Sequence, residues 1–560
     1  MEEKPAIPDM AAVKSGKERK ESFATTSGIP VQGVYTADDI ADLDYSRDLG
    51  MPGKAPFTRG IFPTMYRGKL WSIRQFSGLN AADSTNERFK LLYQMGMTGF
   101  AVAPDNACIM GYDPDMPEAA AEVGVDGVGM YSMKDMEEIF DGLPIDKINV
   151  AVIQGITTAC PHTAMYLAMA EKRGISLKDL GGTTEGDPCS AGGCSVSGPS
   201  GPNSGSLGIP FSDLLRLCGD LVEWCAINVP KWHPVSFTSY NYRESGVNAY
   251  QEIGGMLSSA VAVIDEVLKR DRGLRVDDFV SQFTFHLASH NDFFEEVAKM
   301  RAARRMWYKL MGEKYGAKSP RALSLRFHIH TSGSTLTYQQ PLNNAIRVAY
   351  QTLAAALGGA QSIHSCSYDE ALAIPLEDSV LLSMRTQQIL QDETNIANTI
   401  DPLAGSYFVE WLTTEVEKRA WEFYREIENH GGWVKAADSS WLREQTDREA
   451  IKHEVEVRSG EKRIVGVNCH QMAEDPFKPS FFRRDPDILE KQRARTAQLK
   501  EGRDNGKVQE ALGELAEATR KGDNVMPSVM KAVREYATIG EIMDLWRGIL
   551  APASARGRLV

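Results

Sequence analysis

Histidine side chains are concentrated in one part of this sequence. Half of the ten histidines lie between positions 286 and 364, namely His286, His290, His328, His330 and His364. His328 and His330 are two residues apart in a β-rich segment, so both project from one face of a strand. Imidazoles at that spacing can ligate a metal ion, as in a metal-dependent barrel hydrolase, or can hydrogen-bond within a polar cavity. Because metal barrel hydrolases need a carboxylate or modified lysine on the same ion, and the sequence places none on those strand faces, we predict no metal.

Polar side chains also stand at the ends of other predicted strands. Arg74 and Phe76 end the first strand, where a guanidinium can bind phosphate or carboxylate and a ring can wall a pocket. Tyr240 and Asn241, followed by Glu244, end the fifth strand. In barrels built from β/α units, the active site lies at the carboxyl ends of the strands. These positions therefore favour a catalytic function, although turn and cap residues of the same types are common.

Strand-like and helix-like segments alternate between about residue 60 and residue 400. The predicted strands are 71–76, 99–104, 148–154, 181–187, 234–240, 278–286, 324–330 and 360–367. A strand followed by a helix, repeated eight times, predicts an α/β fold, a (β/α)8 TIM barrel. An open doubly wound sheet would need a glycine-rich dinucleotide loop after its first strand, and residues 76–79 do not form one. We expect an N-terminal extension over 1–55 that wraps a partner, the barrel over 56–400, and a helical appendage with a C-terminal tail over 401–560.

The faces of these strands that should point into the barrel are polar. They carry Ser72, Arg74, Ser236, Thr238, Gln282, Thr284, His286, Arg326, His328 and His330. Barrel interiors are ordinarily packed with Val, Ile and Leu, and a buried polar group without a partner costs about 1–3 kcal/mol. The sequence therefore predicts a long hydrogen-bonding ligand along the barrel axis.

Composition limits the remaining possibilities. The chain has 560 residues, 42% of them hydrophobic and 24% charged, which is typical of a globular protein. A net charge of −13 argues against nucleic acid and anionic membranes as partners. The eight cysteines are scattered without a paired motif, which with the absence of a signal peptide indicates reduced thiols in a cytoplasmic enzyme. The segment 186–208, rich in Gly, Ser, Pro and Cys, is a predicted loop.

Several motifs, in order along most of the chain, resemble the acyl-CoA mutase family of methylmalonyl-CoA mutase and its relatives. They are TRGIFPTMY at 58–66, WSIRQFSG at 71–78, GYD at 111–113, KMRAAR at 299–304, TSG at 331–333, DPLAGSY at 401–407 and IVGVN at 464–468. The resemblance implies a radical carbon-skeleton isomerase. Coenzyme A would lie along the barrel axis, and adenosylcobalamin would meet the acyl group at one end.

The cobalt ligand of this family is a histidine in an Asp-x-His-x-x-Gly motif. None of the ten histidines has Asp two positions before it. We therefore expect a large, substrate-binding subunit whose small cobalamin-binding partner supplies the cobalt ligand, in a heterodimer or heterotetramer.

The resemblance also carries over site residues. Positions matching contacts to coenzyme A are Phe62, Thr64, Lys69, Gln282, Thr284 and Arg321; positions around the adenosyl group and corrin are Tyr240, Glu244, Gln361 and Glu370; and His330 stands where a Gln lies near the ligand.

Departures from the methylmalonyl pattern indicate a different substrate. Phe76 replaces a Tyr, no Arg stands near Ser195 to hold a carboxylate, and Asn241 replaces the His that bonds the thioester carbonyl. Asn can donate a hydrogen bond but not a proton near neutral pH. Phe76 and Ala103 occupy the places of Ile and Asp in 2-hydroxyisobutyryl enzymes. We expect catalysis to involve Phe76, Tyr240 and Asn241, and the substrate to be a branched or hydroxylated short acyl-CoA without a free carboxylate. An acyl-CoA-binding barrel without mutase chemistry, or the metal hydrolase, are the alternatives.

Overall fold

A computed structural model describes residues 18–188 and 208–551, and one parallel β-sheet lies at its centre. Its nine strands are β1 Ser72–Ser77, β2 Gly99–Val102, β3 Asn149–Ile153, β4 Gly182–Glu185, β5 Trp232–His233, β6 Ser236–Thr238, β7 Thr284–Ser289, β8 Phe327–Thr331 and β9 Ser362–His364. These strands alternate between inward polar and outward apolar side chains. In β8, for example, Phe327 and Ile329 pack into the hydrophobic core, while His328 and His330 face the axis.

The strand order is β5-β4-β3-β2-β1-β9-β8-β7-β6, and every pairing is parallel. β5 and β6 stand at the two ends of this order but are separated in the chain only by Pro234 and Val235. Proline cannot donate to a strand ladder, so it divides the fifth strand into one part paired with β4 and another paired with β7. The sheet is thereby nearly closed, and the predicted TIM-like barrel is confirmed.

Helices surround the barrel and continue beyond it. They are α1 Ala82–Gln94, α2 Asn106–Ile109, α3 Met133–Ile139, α4 Ala159–Lys172, α5 Phe211–Asn228, α6 Ser239–Glu244, α7 Ala249–Lys269, α8 Val276–Phe279, α9 Phe293–Lys309, α10 Pro320–Leu323, α11 Leu342–Leu357, α12 Glu377–Asp392, α13 Tyr407–Asn429, α14 Trp433–Asp438, α15 Trp441–Ser459, α16 Ile488–Gly502, α17 Asn505–Lys521, α18 Met526–Arg534 and α19 Ile539–Leu550. Within the described part of the chain, no helix combines the length and the apolarity that crossing a bilayer would require.

Three sequence predictions differ from this structure. The predicted strand 278–286 begins with the helical segment α8 and a 3-10 turn over Val280–Gln282, so β7 starts only at Thr284. The apolar run 464–467 is typical of a short strand, but in the structure it is a turn with one isolated bridge, Val465 to Cys469. The amphipathic pattern over 527–549 predicts one helix, but the structure has two, α18 and α19, and the Thr538 side chain caps α19.

Segments before and after the barrel pack on its outer helices. Near the N-terminus, Thr26 N donates to Asp292 Oδ2 at 2.7 Å and Ala249 N donates to Ser27 Oγ at 3.1 Å. Beyond the barrel, α13 is tied to α9 by the buried ion pair between Arg301 and Glu410, 2.6 Å long. The division at 55 and 400 remains a prediction.

Candidate active site

A cavity of about 280 Å³ enters the barrel from the amino ends of the strands. At its mouth lie Phe62, Lys69, Arg326 and Gln361, and further along the axis lie Arg74, Thr284, His328 and Glu185. The wall is polar because the inward positions of β1, β4, β7 and β8 carry polar side chains, as the alternation predicted. We call this space the axial cavity.

Cationic side chains surround the mouth of the axial cavity. Lys69 and Arg321 are exposed, and Arg326 lies with its guanidinium carbon 5.9 Å from the centroid of the Phe62 ring. Burial and the neighbouring Arg321 lower the pKa of Arg326 to about 10, which leaves it charged at neutral pH. Positive charges beside an aromatic face can bind phosphates and stack on a purine.

Arg74 lies deeper in the cavity, and its hydrogen bonds are already made within the barrel wall. Its guanidinium donates to Phe100 O and to Asn149 Oδ1. Burial lowers the pKa of Arg74 to about 10. Because these bonds orient the guanidinium toward β2 and β3, Arg74 shapes the cavity and is not directed at its upper end.

Six rings close the axis above the cavity, and we call them the ring cluster: Phe76, Tyr240, His286, His328, His330 and His364. Phe76 is central, with ring centroids 4.8 Å from His330 and 4.9 Å from His364. Tyr240 stacks on His330 at 4.1 Å with an interplanar angle of 7°. Burial lowers the pKa of both His328 and His330 well below the usual histidine value, so these rings are neutral at pH 7.

Carboxylates and small residues lie beyond the ring cluster, at the carboxyl ends of the strands. Glu244 accepts from Ser334 N at 2.6 Å and from Ser334 Oγ at 3.1 Å, and burial raises its pKa. A side chain added at Gly333 would stand 3.4 Å from both Glu244 Oε2 and the Tyr240 hydroxyl, so glycine keeps this surface flat. Glu370 accepts from Ser367 N at 2.5 Å.

The predicted site residues are thus divided between two ends of the barrel. Phe62, Lys69, Arg74, Thr284, His328 and Gln361 line the axial cavity, whereas Tyr240, Glu244, Glu370 and His330 lie at its far end. Gln361 precedes β9 and binds Phe327 N and Gly359 O, so it is at the opposite end from Glu244 and Glu370, with which the resemblance grouped it.

Other predicted residues stand apart from the cavity. Thr64 is exposed beside the mouth, and Gln282 donates from its buried amide to Val229 O at 3.0 Å. Ala103 directly follows β2. The predicted strand through Tyr240 ends at Thr238, because the chain turns into α6, and Asn241 is exposed on that helix. Ser195 and most of the 186–208 loop lie outside the described residues.

The strand faces of the histidines carry no carboxylate in the sequence, but carboxylates from other elements approach them. Glu185, at the end of β4, approaches His286 with 3.2 Å between Oε2 and Nδ1, and Glu370 Oε1 is 3.8 Å from His364 Nε2. Sequence reasoning named neither Glu185 nor Arg326 as a site residue, although it placed Arg326 on an inward strand face. Both occupy polar inward positions at a predicted strand end or start, and this was the available signal.

One group of described residues has metal-ligand chemistry: His330, His364, Cys366 and Glu370, whose ligand atoms lie within 4.8 Å of one another. The Cys366 thiol donates to Thr331 O at 3.0 Å, and burial raises its pKa well above the usual value. In this arrangement the thiol is engaged as a hydrogen-bond donor.

Comparison with known proteins agrees with this geometry. The sequence profile of the family described as methylmalonyl-CoA mutase matches residues 24–551. The chain belongs to the methylmalonyl-CoA mutase family. It is 39% identical to the 2-hydroxyisobutanoyl-CoA mutase large subunit of Aquincola tertiaricarbonis, over 96% of this chain and 94% of that protein.

Two methylmalonyl-CoA mutases are more distant and longer. The enzyme of Cereibacter sphaeroides is 36% identical over 93% of this chain and 71% of its own length. The mitochondrial enzyme of Homo sapiens is 31% identical over 100% of this chain and 73% of its own length. Family membership identifies the chain as an acyl-CoA mutase and therefore as an isomerase, and it gives no support to the metal hydrolase.

Proposed function

We propose that this chain binds the substrate of an adenosylcobalamin-dependent mutase that rearranges the carbon skeleton of a short branched or hydroxylated acyl-CoA lacking a free carboxylate. The observation that carries the proposal is the axial cavity, which has polar side chains at successive points along its length and cations at its mouth. The pantetheine arm of coenzyme A is a long chain with amide and hydroxyl groups separated by hydrocarbon, so it needs hydrogen-bonding groups at several points along its path.

The mouth supplies the contacts for the nucleotide end of coenzyme A. Lys69, Arg321 and Arg326 can neutralise its phosphates, while the Phe62 ring offers an aromatic face. We assign Gln361 to this end as well, because it lines the same mouth. Thr284 lines the cavity and joins this proposed set, and Thr64 and Gln282 are assigned to it on the family resemblance alone.

The ring cluster supplies the acyl pocket, and its chemistry supports an uncharged acyl group. Phe76 presents an apolar face, and His328 and His330 are neutral. Arg74 is engaged with Phe100 O and Asn149 Oδ1, so it does not provide a counter-ion there. A buried carboxylate without a cation is strongly destabilised, which disfavours a substrate with a free carboxyl group.

The carboxyl ends of the strands fit an adenosyl group. Glu244 and Glu370 can accept hydrogen bonds from ribose hydroxyls, and the flat surface at Gly333, beside Tyr240, admits close approach. When bound, adenosylcobalamin supplies the radical chemistry that removes hydrogen from the substrate. The rings around Phe76 exclude water from that step, and Tyr240 and the acyl-pocket residues hold the substrate in position.

A small cobalamin-binding subunit is the proposed partner, in a heterodimer or heterotetramer. Support comes from the relative named a large subunit and from the ten histidines, none of which follows Asp at the spacing of the cobalt ligand. We place the complex in the cytoplasm, where the six described cysteines, all free, would stay reduced.

The test is electron paramagnetic resonance of the chain mixed with a cobalamin-binding subunit, adenosylcobalamin and a panel of acyl-CoA thioesters. We expect a coupled cobalt(II)–radical signal with a short uncharged acyl-CoA and none with methylmalonyl-CoA. Calorimetric binding of each thioester to the chain alone is measured in parallel. Binding of acyl-CoA without a signal from any thioester would instead support a binding barrel without mutase chemistry, which the exposed position of Asn241 favours.

A further inference from the structure

A buried carboxylate–imidazole pair lies where the axial cavity meets the ring cluster. Glu185, the last residue of β4, lines the cavity, and His286 stands in β7 within the ring cluster. Glu185 Oε2 and His286 Nδ1 are 3.2 Å apart, and the two residues are only 6% and 1% exposed. The pair therefore occupies the point that the head of a ligand entering from the mouth would reach.

The hydrogen-bonding capacity of this pair is only half used. We assign the proton between the two groups to His286 Nδ1, because a carboxylate oxygen is the natural acceptor for an imidazole N–H at this distance. In the neutral ring this leaves Nε2 as an acceptor. His286 Nε2 is buried and has no hydrogen-bond partner among the described residues. A buried acceptor without a donor is unfavourable, so the site is incomplete without a group that donates to it.

The rings around His286 do not provide that donor. Tyr240 stacks face to face on the imidazole at 5.3 Å, Phe76 lies 5.8 Å away, and His328 meets it edge-on at 4.7 Å. His328 is itself bonded through Nδ1 to Ser362 Oγ at 2.8 Å. These contacts hold the imidazole plane in place, so the direction of Nε2 is determined by packing.

We propose that Glu185 and His286 recognise the acyl group through a hydroxyl substituent, which donates its hydrogen bond to His286 Nε2. This inference rests on the proposed function and narrows its substrate class to hydroxylated acyl-CoA. A thioester carbonyl offers no donor, a hydrocarbon branch offers no polar group, and a carboxylate would meet the like charge of Glu185. Glu185 acts as a positioning residue, because it reaches the substrate only through the ring it orients.

Calorimetric binding to the purified chain tests the proposal without cofactor. The probes are 2-hydroxyisobutyryl-CoA, 3-hydroxybutyryl-CoA, isobutyryl-CoA and coenzyme A. We expect at least one hydroxylated thioester to bind the native chain about tenfold more tightly than isobutyryl-CoA, as one well-placed hydrogen bond allows. His286→Phe should abolish that preference and leave the affinity for coenzyme A within about twofold of native, because the ring is kept while the acceptor is lost.

A second variant and a matched control make the result specific. Glu185→Leu is similar in size but can neither accept from nor donate to Nδ1, so the bond that orients the ring is lost and the preference should fall about threefold to tenfold. The same substitution elsewhere, His430→Phe, changes a surface ring that stacks on Trp441 at 4.4 Å and should change no affinity.

Three outcomes have distinct meanings. Equal losses for hydroxylated and plain thioesters in His286→Phe would overturn the proposal and assign His286 to the thioester or to packing. A native chain that binds isobutyryl-CoA as tightly as both hydroxylated thioesters would also overturn it. Failure of the native chain to bind coenzyme A or any thioester would contradict the proposed function itself. If His286→Phe does not fold, Glu185→Leu decides the question.

Discussion

Replacement of Arg326 by Met tests whether the mouth of the axial cavity binds the phosphates of coenzyme A. Arg326 is half-buried beside Phe62, and its side chain reaches the cavity from the residue before β8. A charge-assisted hydrogen bond contributes about 1.5–3 kcal/mol. Because the mouth is open to solvent, screening reduces this to about 1–2 kcal/mol, which corresponds to a loss of affinity of about fivefold to 30-fold.

The assay is calorimetric titration with coenzyme A and with pantetheine, which lacks the phosphates. Arg326→Met should weaken coenzyme A binding by that factor, leave pantetheine binding within about twofold, and reduce the dependence of coenzyme A affinity on salt. Arg67→Met is the matched control, because Arg67 is exposed on the neighbouring turn and does not line the cavity. Equal losses for coenzyme A and pantetheine would refute the reasoning, since they would mean that Arg326 acts through packing.

Three further substitutions test the acyl pocket and the stability of the barrel. Phe76→Ala should lower the free energy of unfolding by about 3 kcal/mol, because it leaves a cavity within the ring cluster. The same space should improve the binding of hexanoyl-CoA relative to isobutyryl-CoA in calorimetry, and an unchanged chain-length preference would contradict this. Lys299→Met should lower the free energy of unfolding in urea by about 3–5 kcal/mol, because the fully buried Lys299 pairs with Glu252 at 2.6 Å and also with Glu296. A loss below about 1 kcal/mol would argue against that ion-pair network. Burial raises the pKa of Glu295 to about 7, above its value in the unfolded chain. The contribution of the protonated carboxyl to the free energy of unfolding is therefore complete below about pH 4.5 and is lost as the pH rises through 7. Glu295→Gln should flatten the fall of the melting temperature over that range, and an unchanged slope would exclude Glu295 as its source.

Periodicity predicted the helices and the barrel closely. Apolar residues at helical spacing predict helices over 211–227 and 249–270, and the structure has them at Phe211–Asn228 and Ala249–Lys269. These helices present apolar residues to the sheet at a spacing that local sequence determines. The predicted end of the fifth strand at Tyr240 was wrong, because the polar–apolar alternation continues past Thr238 although the chain there already turns into α6.

Contacts between distant strands could not be read from the sequence. Glu185 and His286 are 101 positions apart, and their approach depends on barrel curvature and on the break in the fifth strand. Likewise, motif resemblance placed Gln361 with the cofactor residues, whereas its position before β9 puts it at the other end of the axis. The sequence supplied the chemical types that line the barrel, and the topology determined which of them meet.

The division of the fifth strand also affects how the barrel wall can move. Between β4 and β6, side-chain contacts replace some of the backbone hydrogen bonds of a strand ladder. Asp187 Oδ2 accepts from Thr238 N at 2.8 Å, and Glu185 contacts His286 in β7. This junction between β4 and β6 has fewer backbone hydrogen bonds to break. Its amide hydrogens should therefore exchange with solvent sooner than those of the continuous ladder between β7 and β8. A ligand that contacts both Glu185 and His286 would connect the two sides of this junction, so the rigidity of the barrel would depend on whether a ligand occupies its axis.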